Sequence, residues 1–398
     1  MADPMAALLP LSDAWSRLFA LAPPPAIERV SLIDAAGRWT ADDVRALRTQ
    51  PSADLSAMDG YAIRFADLPG PWRVIGESAA GRGFAGAVNP GEAVRIFTGA
   101  PLPPGTDTVM VQEEAARDGD VLRLDGEGPA MHGRNVRRRG LDFSESDWLV
   151  RSGERLTPAR LALIGAAGHG SVAVHRKVRV AIVATGDELV APGAPVGATQ
   201  LPETNRLMLA AQLADLPVTL VDLGILPDRR DALEAAFRAV DADLLVTSGG
   251  ASVGDHDLVR PALEAAGAVI DFWKIALRPG KPVMAGRLGG AVVLGLPGNP
   301  VSAFVTTLLF VRPLIAHLAG AADPLPRTRT ATLAEPLGAN GERTDYLRAE
   351  LHDGRVTAST LQDSAMLRTL ARATCLIVRE PHAPAAHAGD SVEILDLA

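Results

Sequence analysis

The sequence contains one cysteine, few aromatic residues and no excess of positive charge, and each shortage excludes a class of protein or site. Because Cys375 is the only cysteine among 398 residues, the chain can form neither an internal disulfide nor a cysteine-based zinc cluster. A chain with a single cysteine suits a reducing compartment, and we expect the protein to be cytoplasmic. The formal net charge of −8 argues against general binding to nucleic acid or to anionic membranes. With only 4% aromatic residues, the core must consist mainly of Ala, Val and Leu.

Neither the N-terminus nor the longest apolar segment has the features of a targeting or membrane-spanning sequence. With acidic residues at Asp3 and Asp13, the N-terminal segment lacks the basic start and the apolar run of a signal peptide. Residues 301–320 are largely apolar, but Arg312 and His317 interrupt the last turns. This pattern predicts a buried helix and no membrane span.

Strand-like and helix-like segments alternate between residues 177 and 320. Apolar runs typical of buried parallel strands lead into turns rich in Gly, Ser and Pro, and amphipathic segments follow them. The alternation predicts a doubly wound α/β domain with a parallel or mixed sheet, and such sheets bind ligands beyond the carboxyl ends of their strands. We predict strands at 178–184, 218–223, 243–247 and 292–296, and helices at 205–216, 228–240, 258–266 and after residue 300.

The flanking segments differ from this domain, and the length of the chain suggests two to four domains. Residues 45–140 contain short β-like runs with frequent Gly and Pro, which predict a β-rich domain. Residues 1–44 and 141–176 are partly helical in pattern. Residues 327–398 contain four short apolar runs and predict a small β domain.

The loop after the third predicted strand has the pattern of a phosphate site. Glycines that follow a buried strand let backbone N–H groups approach a phosphate closely, and serine hydroxyls add donors. Two aspartates in the same loop supply the hard oxygen ligands that Mg²⁺ prefers. A glycine turn with a helix-capping aspartate is the structural alternative. The residues concerned are Ser248, Gly249, Gly250, Ser252, Gly254, Asp255 and Asp257.

A second loop, Pro297-Gly298-Asn299-Pro300, predicts the start of the last long helix. Asn299 suits the N-cap and Pro300 suits the first helical position. A helix start at this edge of the sheet is also an anion site, so capping and phosphate binding are compatible.

Acidic residues follow two other strands at the same predicted edge. Asp187 and Glu188 come after the first strand, and Asp228 follows the second. Exposed loop acids are the structural alternative for the first two. Asp228, with Asp231 three residues on, has the position of a helix N-cap, which the sequence alone favours.

Two basic clusters stand out in this acidic chain. Arginine suits forked contacts to oxyanions and lysine supplies a point charge, whereas solvated loops are the alternative. Gly and Pro in the second cluster exclude a plain amphipathic helix. The clusters are Arg134, Arg137, Arg138 and Arg139, and Lys274, Arg278 and Lys281.

Six short motifs, in fixed order and spacing, extend these observations along most of the chain. They are Ser-Ala-Met-Asp-Gly-Tyr-Ala at 56–62, Thr-Gly-Ala-Pro-Leu-Pro at 98–103, Thr-Gly-Asp-Glu-Leu at 185–189, Ser-Gly-Gly-Ala-Ser-Val-Gly-Asp at 248–255, Arg-Pro-Gly-Lys-Pro at 278–282 and Gly-Leu-Pro-Gly-Asn-Pro at 295–300. Together they resemble the MoeA family of molybdopterin molybdenumtransferases, also seen in the E domain of gephyrin. The fourth motif alone would also fit the related molybdopterin adenylyltransferases. The first two lie outside the domain that those proteins share, and they favour MoeA.

The resemblance implies four domains and an elongated homodimer. Residues 1–44 and 141–176 would form one domain, into which the β-rich residues 45–140 are inserted. Residues 177–326 would form the molybdopterin-binding domain, and 327–398 the C-terminal β domain. The active site is expected at the sheet edge, closed by the partner subunit's β-rich domain.

Residue roles follow from the resemblance, position by position. The family often has Lys where Arg278 stands, an acidic residue where Leu141 stands, and Gly where Asp363 stands. Catalytic roles are implied for Asp59, Thr98, Asp142, Glu188, Asp228, Asp257, Lys274 and Arg278, and cofactor-binding roles for Arg137, Lys281 and Ser364 beside the two phosphate loops.

The implied reaction converts adenylylated molybdopterin and molybdate into molybdenum cofactor and AMP. Mg²⁺ would be held on the pyrophosphate by carboxylates among Glu188, Asp228, Asp255 and Asp257. The molybdopterin adenylyltransferase and molybdoenzyme maturation proteins are implied as transient partners. Two alternatives stay open: an adenylyltransferase with the same fold, and a non-catalytic scaffold of the gephyrin type.

Overall fold

A computed structural model describes residues 8–22, 26–249 and 258–397, and a six-stranded mixed sheet lies at its centre. The first four strands across the sheet are mutually parallel. Three of them are nearly continuously buried because both of their faces are covered, whereas the edge strand Val218–Leu226 is partly exposed. These four confirm the predicted strands, whereas an antiparallel strand and the strand beyond it lie outside the prediction. The order is Val218–Leu226, Val178–Thr185, Leu244–Ser248, Ala291–Leu296, Pro282–Leu288 and Val269–Lys274.

Helices cover both faces of this sheet, as the doubly wound prediction requires. Successive residues of one strand alternate between two apolar clusters: Val180 and Ile182 belong to one, and Ala181 and Val183 to the other. The first face carries helix Asn205–Leu213 and the helical segments Pro300–Thr306, Thr307–Val311 and Arg312–Leu318, and the second carries Arg230–Arg238 and Val259–Ala265.

The apolar segment near the end of this domain forms one helix, Pro300–Leu318, of 19 residues. By length and composition it could cross a membrane, with a mean hydropathy of 1.7, but 78% of its most apolar window is buried inside the protein. A π-helical stretch, Thr307–Val311, lies in its middle, where the Thr307 hydroxyl donates to the carbonyl oxygen of Ala303 (2.7 Å). The prediction of a buried helix is confirmed.

Two segments far apart in the sequence pack together next to the α/β domain. Strand Ile27–Ser31 pairs with Ser171–His175, and Val44–Arg45 pairs with Trp148–Val150, both antiparallel. Helix Pro158–Ala166 closes this small core. By contrast, the first helix packs on the α/β domain: Ala14 and Leu18 of Leu11–Leu21 join its larger apolar cluster. The domain bounds themselves stay predictions.

The β-rich segment folds around its own core, in which Trp72, Tyr61 and Met110 are buried. Its sheet is antiparallel except for one parallel pair, Trp72–Ser78 with Glu92–Ile96. Short 3₁₀ turns lie at Phe65–Asp67 and Gln112–Glu114, and Leu55–Ser56 pairs with Val136–Arg137. The six strands, in order across the sheet, are Thr108–Val111, Gly60–Ile63, Glu92–Ile96, Trp72–Ser78, Val121–Leu124 and Ala115–Asp118.

The C-terminal segment forms a small β domain that closes on itself, because Thr344–His352 pairs with both Arg355–Ala358 and Cys375–Arg379. Closure leaves few exposed strand edges. A further strand, Leu277–Arg278, comes from the α/β domain and pairs in parallel with Thr344 and Asp345. The remaining elements are strands Arg329–Leu333 and Ser391–Asp396 and helix Leu367–Arg372, and a separate parallel ladder joins Leu189–Val190 to Leu201–Pro202.

Strand Gly60–Ile63, an inner strand of the β-rich sheet, provides a test of its packing. A Cβ added at Gly60 would lie 2.0 Å from the carbonyl oxygen of Met110 on the neighbouring strand. We expect Gly60→Ala to lower the free energy of unfolding by about 1–3 kcal/mol, because the strands must separate locally. At Gly170 an added Cβ meets nothing within 4 Å, so Gly170→Ala is the matched control. Equal shifts of the urea midpoint for the two variants would contradict this description.

Candidate functional site

Four loops meet where the parallel strands end. The register pairs Thr185 with Leu226, Ala184 with Ser248, and Ser248 with Leu296, so the four strands end side by side. The predicted site residues that follow at this edge are Glu188, Asp228, Gly249, Pro297, Gly298, Asn299 and Pro300. Five more predicted residues, Gly250, Ser252, Gly254, Asp255 and Asp257, lie outside the described residues.

Ser248 is held by a residue that the sequence analysis did not select. Asn205, the first residue of helix Asn205–Leu213, donates through Nδ2 to Ser248 Oγ (2.8 Å) and to the carbonyl oxygen of Gly298 (2.7 Å). Both Asn205 and Ser248 are buried. An asparagine at a helix start is typical of a cap, so local sequence gives no sign of this longer-range contact. The Asn205 amide therefore links the two predicted phosphate loops.

Glycines let these two loops approach each other closely. Gly249 has a φ of +93°, which disfavours any residue with a side chain, and its N–H donates to the carbonyl oxygen of Leu296 (3.2 Å). A Cβ placed on Gly298 would lie only 3.8 Å from Gly249 Cα. The backbone at this edge is therefore open to a ligand without interference from side chains.

The helix after the second loop begins at Pro300, as predicted, and Asn299 occupies the N-cap position. Its side chain, however, makes no capping bond and donates instead to Ser364 Oγ (3.1 Å). The carbonyl oxygen of Ser364 accepts the N–H of Val301 (3.1 Å), so the C-terminal domain supplies the cap. The structure thereby brings Ser364 to the edge of the sheet.

Three carboxylates gather at the first two strand ends. The N–H of Asp228 donates to Asp187 Oδ1 (3.0 Å). Burial raises the pKa of the Asp228 carboxyl, and the negative charges of Asp187 and Glu188 raise it further. The predicted capping role of Asp228 is wrong, because helix Arg230–Arg238 begins two residues later and Arg229 occupies the N-cap position. Asp228 instead lies in the loop before the helix, facing like charges.

The donor set at this position suits a cation. Carboxylate oxygens are the ligands of Mg²⁺, and a raised carboxyl pKa beside other acids indicates charge that a cation would stabilise. Among the described residues, no three Asp, Glu, His or Cys side chains converge on one ion position. The carboxylates of Glu188 and Asp228 therefore need a further ligand, from the loop with Asp255 and Asp257 or from a substrate.

The basic residues of the second cluster reach the same edge by an unexpected route. Strand Val269–Lys274 runs in the direction of the four parallel strands, so its carboxyl end, Lys274, lies at their carboxyl edge. Lys281 directly precedes the returning strand Pro282–Leu288. Between them, Gly280 packs against the last helix, where an added Cβ would lie 2.6 Å from Thr306. The segment is therefore packed onto the domain.

Arg278 connects this segment with the C-terminal domain. Its side chain forms an ion pair with Asp345, a nearly buried residue on the paired strand. Arg278 and Lys281 line a cavity of about 350 Å³ between the two domains, together with Asn340 and Arg343. Glu342 and Asp345 also line this cavity, so its three basic side chains, Arg278, Lys281 and Arg343, leave only a small net positive charge.

The predicted residues of the β-rich half form a separate group. Asp59 Oδ1 accepts hydrogen bonds from the Thr98 N–H (2.7 Å) and hydroxyl (2.8 Å), and these donors lower the pKa of Asp59. Arg137 and Asp142 are exposed. Across the described part of the chain, no hydrogen bond or ion pair joins these four residues to the strand ends of the same chain. The structure therefore brings Asp59 to Thr98, but brings neither to the sheet edge.

Comparison with known proteins covers nearly the whole chain. Three family models match: the MoeA N-terminal region (domain I and II) at residues 9–168, a probable molybdopterin binding domain at 181–317, and the MoeA C-terminal region (domain IV) at 330–397. A molybdopterin molybdenumtransferase of Haemophilus influenzae is 38% identical, over 97% of this chain and 98% of its own. The chain belongs to the MoeA family.

Other relatives of this MoeA-family chain agree. The molybdopterin molybdenumtransferase 2 of Mycobacterium tuberculosis is 34% identical over 92% of this chain and 94% of its own. The crystal structure of a molybdopterin biosynthesis MoeA protein from Pyrococcus horikosii superposes with a TM-score of 0.80 at 28% identity, over 98% of this chain and all of that one. Because the N-terminal model matches residues outside the shared domain, the two N-terminal motifs correctly favoured this family.

The raised pKa of Asp228 gives a direct test of the acidic edge. Asp187→Asn removes a negative neighbour but keeps an oxygen that can accept the Asp228 N–H, so we expect the pKa of Asp228 to fall toward its ordinary value. Because ionisation of an acid with a raised pKa disfavours the folded state, stability falls as the pH rises through that pKa, and the variant should lose part of this fall. Titration of the carboxyl carbon by NMR measures the shift.

Asp231→Asn is the control for this titration, because Asp231 pairs with Arg229 and contributes nothing to the shift of Asp228. An unchanged pKa of Asp228 in Asp187→Asn would show that the charge of Asp187 does not raise it.

Proposed function

We propose that this MoeA-family chain transfers molybdenum from molybdate to adenylylated molybdopterin and releases AMP. The observation that carries the proposal is the shared edge where the glycine loops around Ser248 and Gly298 lie beside the carboxylate group of Glu188 and Asp228. Adenylylated molybdopterin has both parts that such an edge would bind. Its phosphate oxygens accept hydrogen bonds, and its charged pyrophosphate binds a metal held by carboxylates. Relatives that carry the name molybdopterin molybdenumtransferase support it.

In this proposal the glycine loops bind the phosphate. The Ser248 hydroxyl and the backbone N–H groups around Gly249 provide neutral donors. The last helix begins just after Gly298, and its N-terminal end also favours an anion. Glycine is needed at position 249, where a φ of +93° disfavours any residue with a side chain. Neutral donors can bind a phosphate without adding charge to the neighbouring carboxylates.

Glu188 and Asp228 would hold Mg²⁺ together with Asp255 or Asp257. The ion, when bound, neutralises charge that develops on the phosphates as the anhydride breaks. The raised pKa of Asp228 supports this assignment, because the like charges of Asp187 and Glu188 gain a counter-ion on binding.

Lys274, Arg278 and Lys281 would attract molybdate and the pterin phosphate. Support comes from their place at the carboxyl edge and along the cavity against the C-terminal domain. The ion pair with Asp345 fixes the guanidinium of Arg278 and offsets its charge. The lysines before and after Arg278 therefore attract a dianion more strongly than Arg278 does. Lys274 and Lys281 are therefore the principal candidates.

A second copy of the chain would complete the site. Asp59 and Thr98, with Arg137 and Asp142, make no contact with the strand ends within the described residues of one chain, although the family resemblance implies active-site roles for them. A contribution from the partner subunit's β-rich domain reconciles these facts. We therefore infer a homodimer, cytoplasmic, that meets the adenylyltransferase and molybdoenzyme maturation proteins transiently.

The non-catalytic scaffold is the second class of function. A scaffold has no need of acidic residues beside a phosphate loop, whereas here Glu188 and Asp228 share one edge of the sheet with the loops of Ser248 and Gly298. The observation therefore favours the enzyme.

The function is tested by following AMP release from purified adenylylated molybdopterin. We expect release that depends on both molybdate and Mg²⁺, and no consumption of ATP with molybdopterin.

Lys274→Ala should raise the molybdate concentration for half-maximal rate about tenfold or more, because a point charge facing a dianion is lost. Arg287→Ala, which removes a charge at the far end of strand Pro282–Leu288, is the control and should leave that concentration unchanged. ATP consumption without molybdate would make the chain an adenylyltransferase, and no turnover of either substrate would favour the scaffold.

The composite site is tested by complementation. Asp59→Ala and Asp228→Ala should each inactivate the homodimer, whereas co-expression should restore about a quarter of wild-type activity, since random pairing gives half heterodimers with one intact site each. Verified heterodimers that stay inactive would place Asp59 and Asp228 in the site of one chain. A double variant that carries both substitutions on one chain, mixed with wild type, is the control for effects of the substitutions on dimer formation.

A further inference from the structure

Asn205 has a polar atom without a partner at the centre of the proposed phosphate site. Its side chain is more than nine-tenths buried, and its Oδ1 has no hydrogen-bond partner anywhere in the described residues. Buried polar atoms are nearly always paired, so an orphan at a ligand edge indicates a donor that arrives with the ligand.

The two bonds of Nδ2 settle how the amide is oriented. The carbonyl oxygen of Gly298 can only accept, so the amide nitrogen must face it, and the second hydrogen of the same nitrogen faces Ser248 Oγ. The reverse orientation would set two acceptor oxygens against each other. Oδ1 is therefore the atom that stays available.

This orientation also determines the role of the Ser248 hydroxyl. Because Ser248 Oγ accepts from Asn205, its own proton points elsewhere, and it donates to no other group in the part of the chain that the structure describes. A hydroxyl fixed as a donor suits a phosphate oxygen, which only accepts. The neighbouring Thr247 hydroxyl is instead directed at the carbonyl of Gly249 (3.4 Å).

We propose that Asn205 is a positioning residue for the phosphate of the nucleotide substrate, an inference that rests on the proposed function. It fixes Ser248 as a hydrogen-bond donor to that phosphate, ties the loop of Gly298 to the end of strand Leu244–Ser248, and offers Oδ1 to a donor group of the bound nucleotide. The Asn205 amide thus sets the polarity of the site, although it holds no charge itself.

Asn205→Asp reverses this polarity with almost no change in shape. A carboxylate in this place accepts from Ser248 and repels the carbonyl of Gly298, so both the donor and the loop contact are lost. We expect AMP, titrated calorimetrically with Mg²⁺ present, to bind about tenfold or more weakly to the variant. In turnover, the KM for the adenylylated substrate should rise while the KM for molybdate stays unchanged.

Gln212→Glu is the matched control, two turns further along the same helix. Gln212 is half-buried and also has a buried amide oxygen without a partner, but its Nε2 donates to the carbonyl oxygen of Phe304, away from the strand ends. It should lose stability as Asn205→Asp does and bind AMP like the wild type. Similar losses of AMP binding in both variants would assign Asn205 a structural role only.

A double-variant cycle separates positioning from folding. If Asn205 acts through Ser248, then Asn205→Ala should weaken AMP binding several-fold in the wild-type chain and much less in Ser248→Ala. Additive effects within twofold, or an Asn205→Asp variant that binds AMP within twofold of wild type, would overturn the proposal. A wild-type chain that binds no AMP would instead overturn the proposed function.

Discussion

The register of the four parallel strands is the constraint on which the site depends. Alternate side chains of each strand enter two different apolar clusters, so a slip of one residue would exchange their surroundings along the whole strand. The register fixes Thr185, Ser248 and Leu296 side by side, and every proposed phosphate or metal contact in this domain lies within a few residues of those ends. Chemistry is therefore confined to loops that the apolar core has already aligned, which is the usual division in doubly wound sheets.

Local pattern was sufficient to predict the four parallel strands and the helices of this domain, because apolar runs and helical periodicity arise from burial that repeats along the chain. It missed the strands Val269–Lys274 and Pro282–Leu288. It was not sufficient for contacts that cross the chain. Asn205 meets partners 43 and 93 residues away, and Ser364 caps a helix 63 residues earlier in the sequence. Asp228 fails as a cap for a related reason. The pattern of Asp228 with Asp231 three positions on resembles a helix start only locally, whereas the folded chain places Asp228 in a loop beside Asp187.

Two kinds of carboxylate environment occur in the same chain. Asp59 accepts two hydrogen bonds from Thr98, and these hold its pKa below the ordinary value. Asp228 is partly desolvated beside two other acids, and its pKa is raised. The first arrangement is satisfied within the folded chain, whereas the second gains stability when a cation arrives. On this ground the proposed Mg²⁺ is assigned to the sheet edge and not to the β-rich loop.

The same contrast bears on how the edge distinguishes its ligands. An anion that approached Asp228 without a metal would meet three negative side chains, while one that approached Ser248 would meet a hydroxyl whose proton Asn205 has turned outward. A nucleotide with Mg²⁺ satisfies both ends together, whereas phosphate alone satisfies only one. In the proposed site, selectivity for a metal-bound nucleotide would follow from neutral donors and crowded carboxylates on adjacent strand ends. In the same proposal, Lys274 and Lys281, which lie further along this edge, would bind molybdate, the oxyanion that is not bound to Mg²⁺.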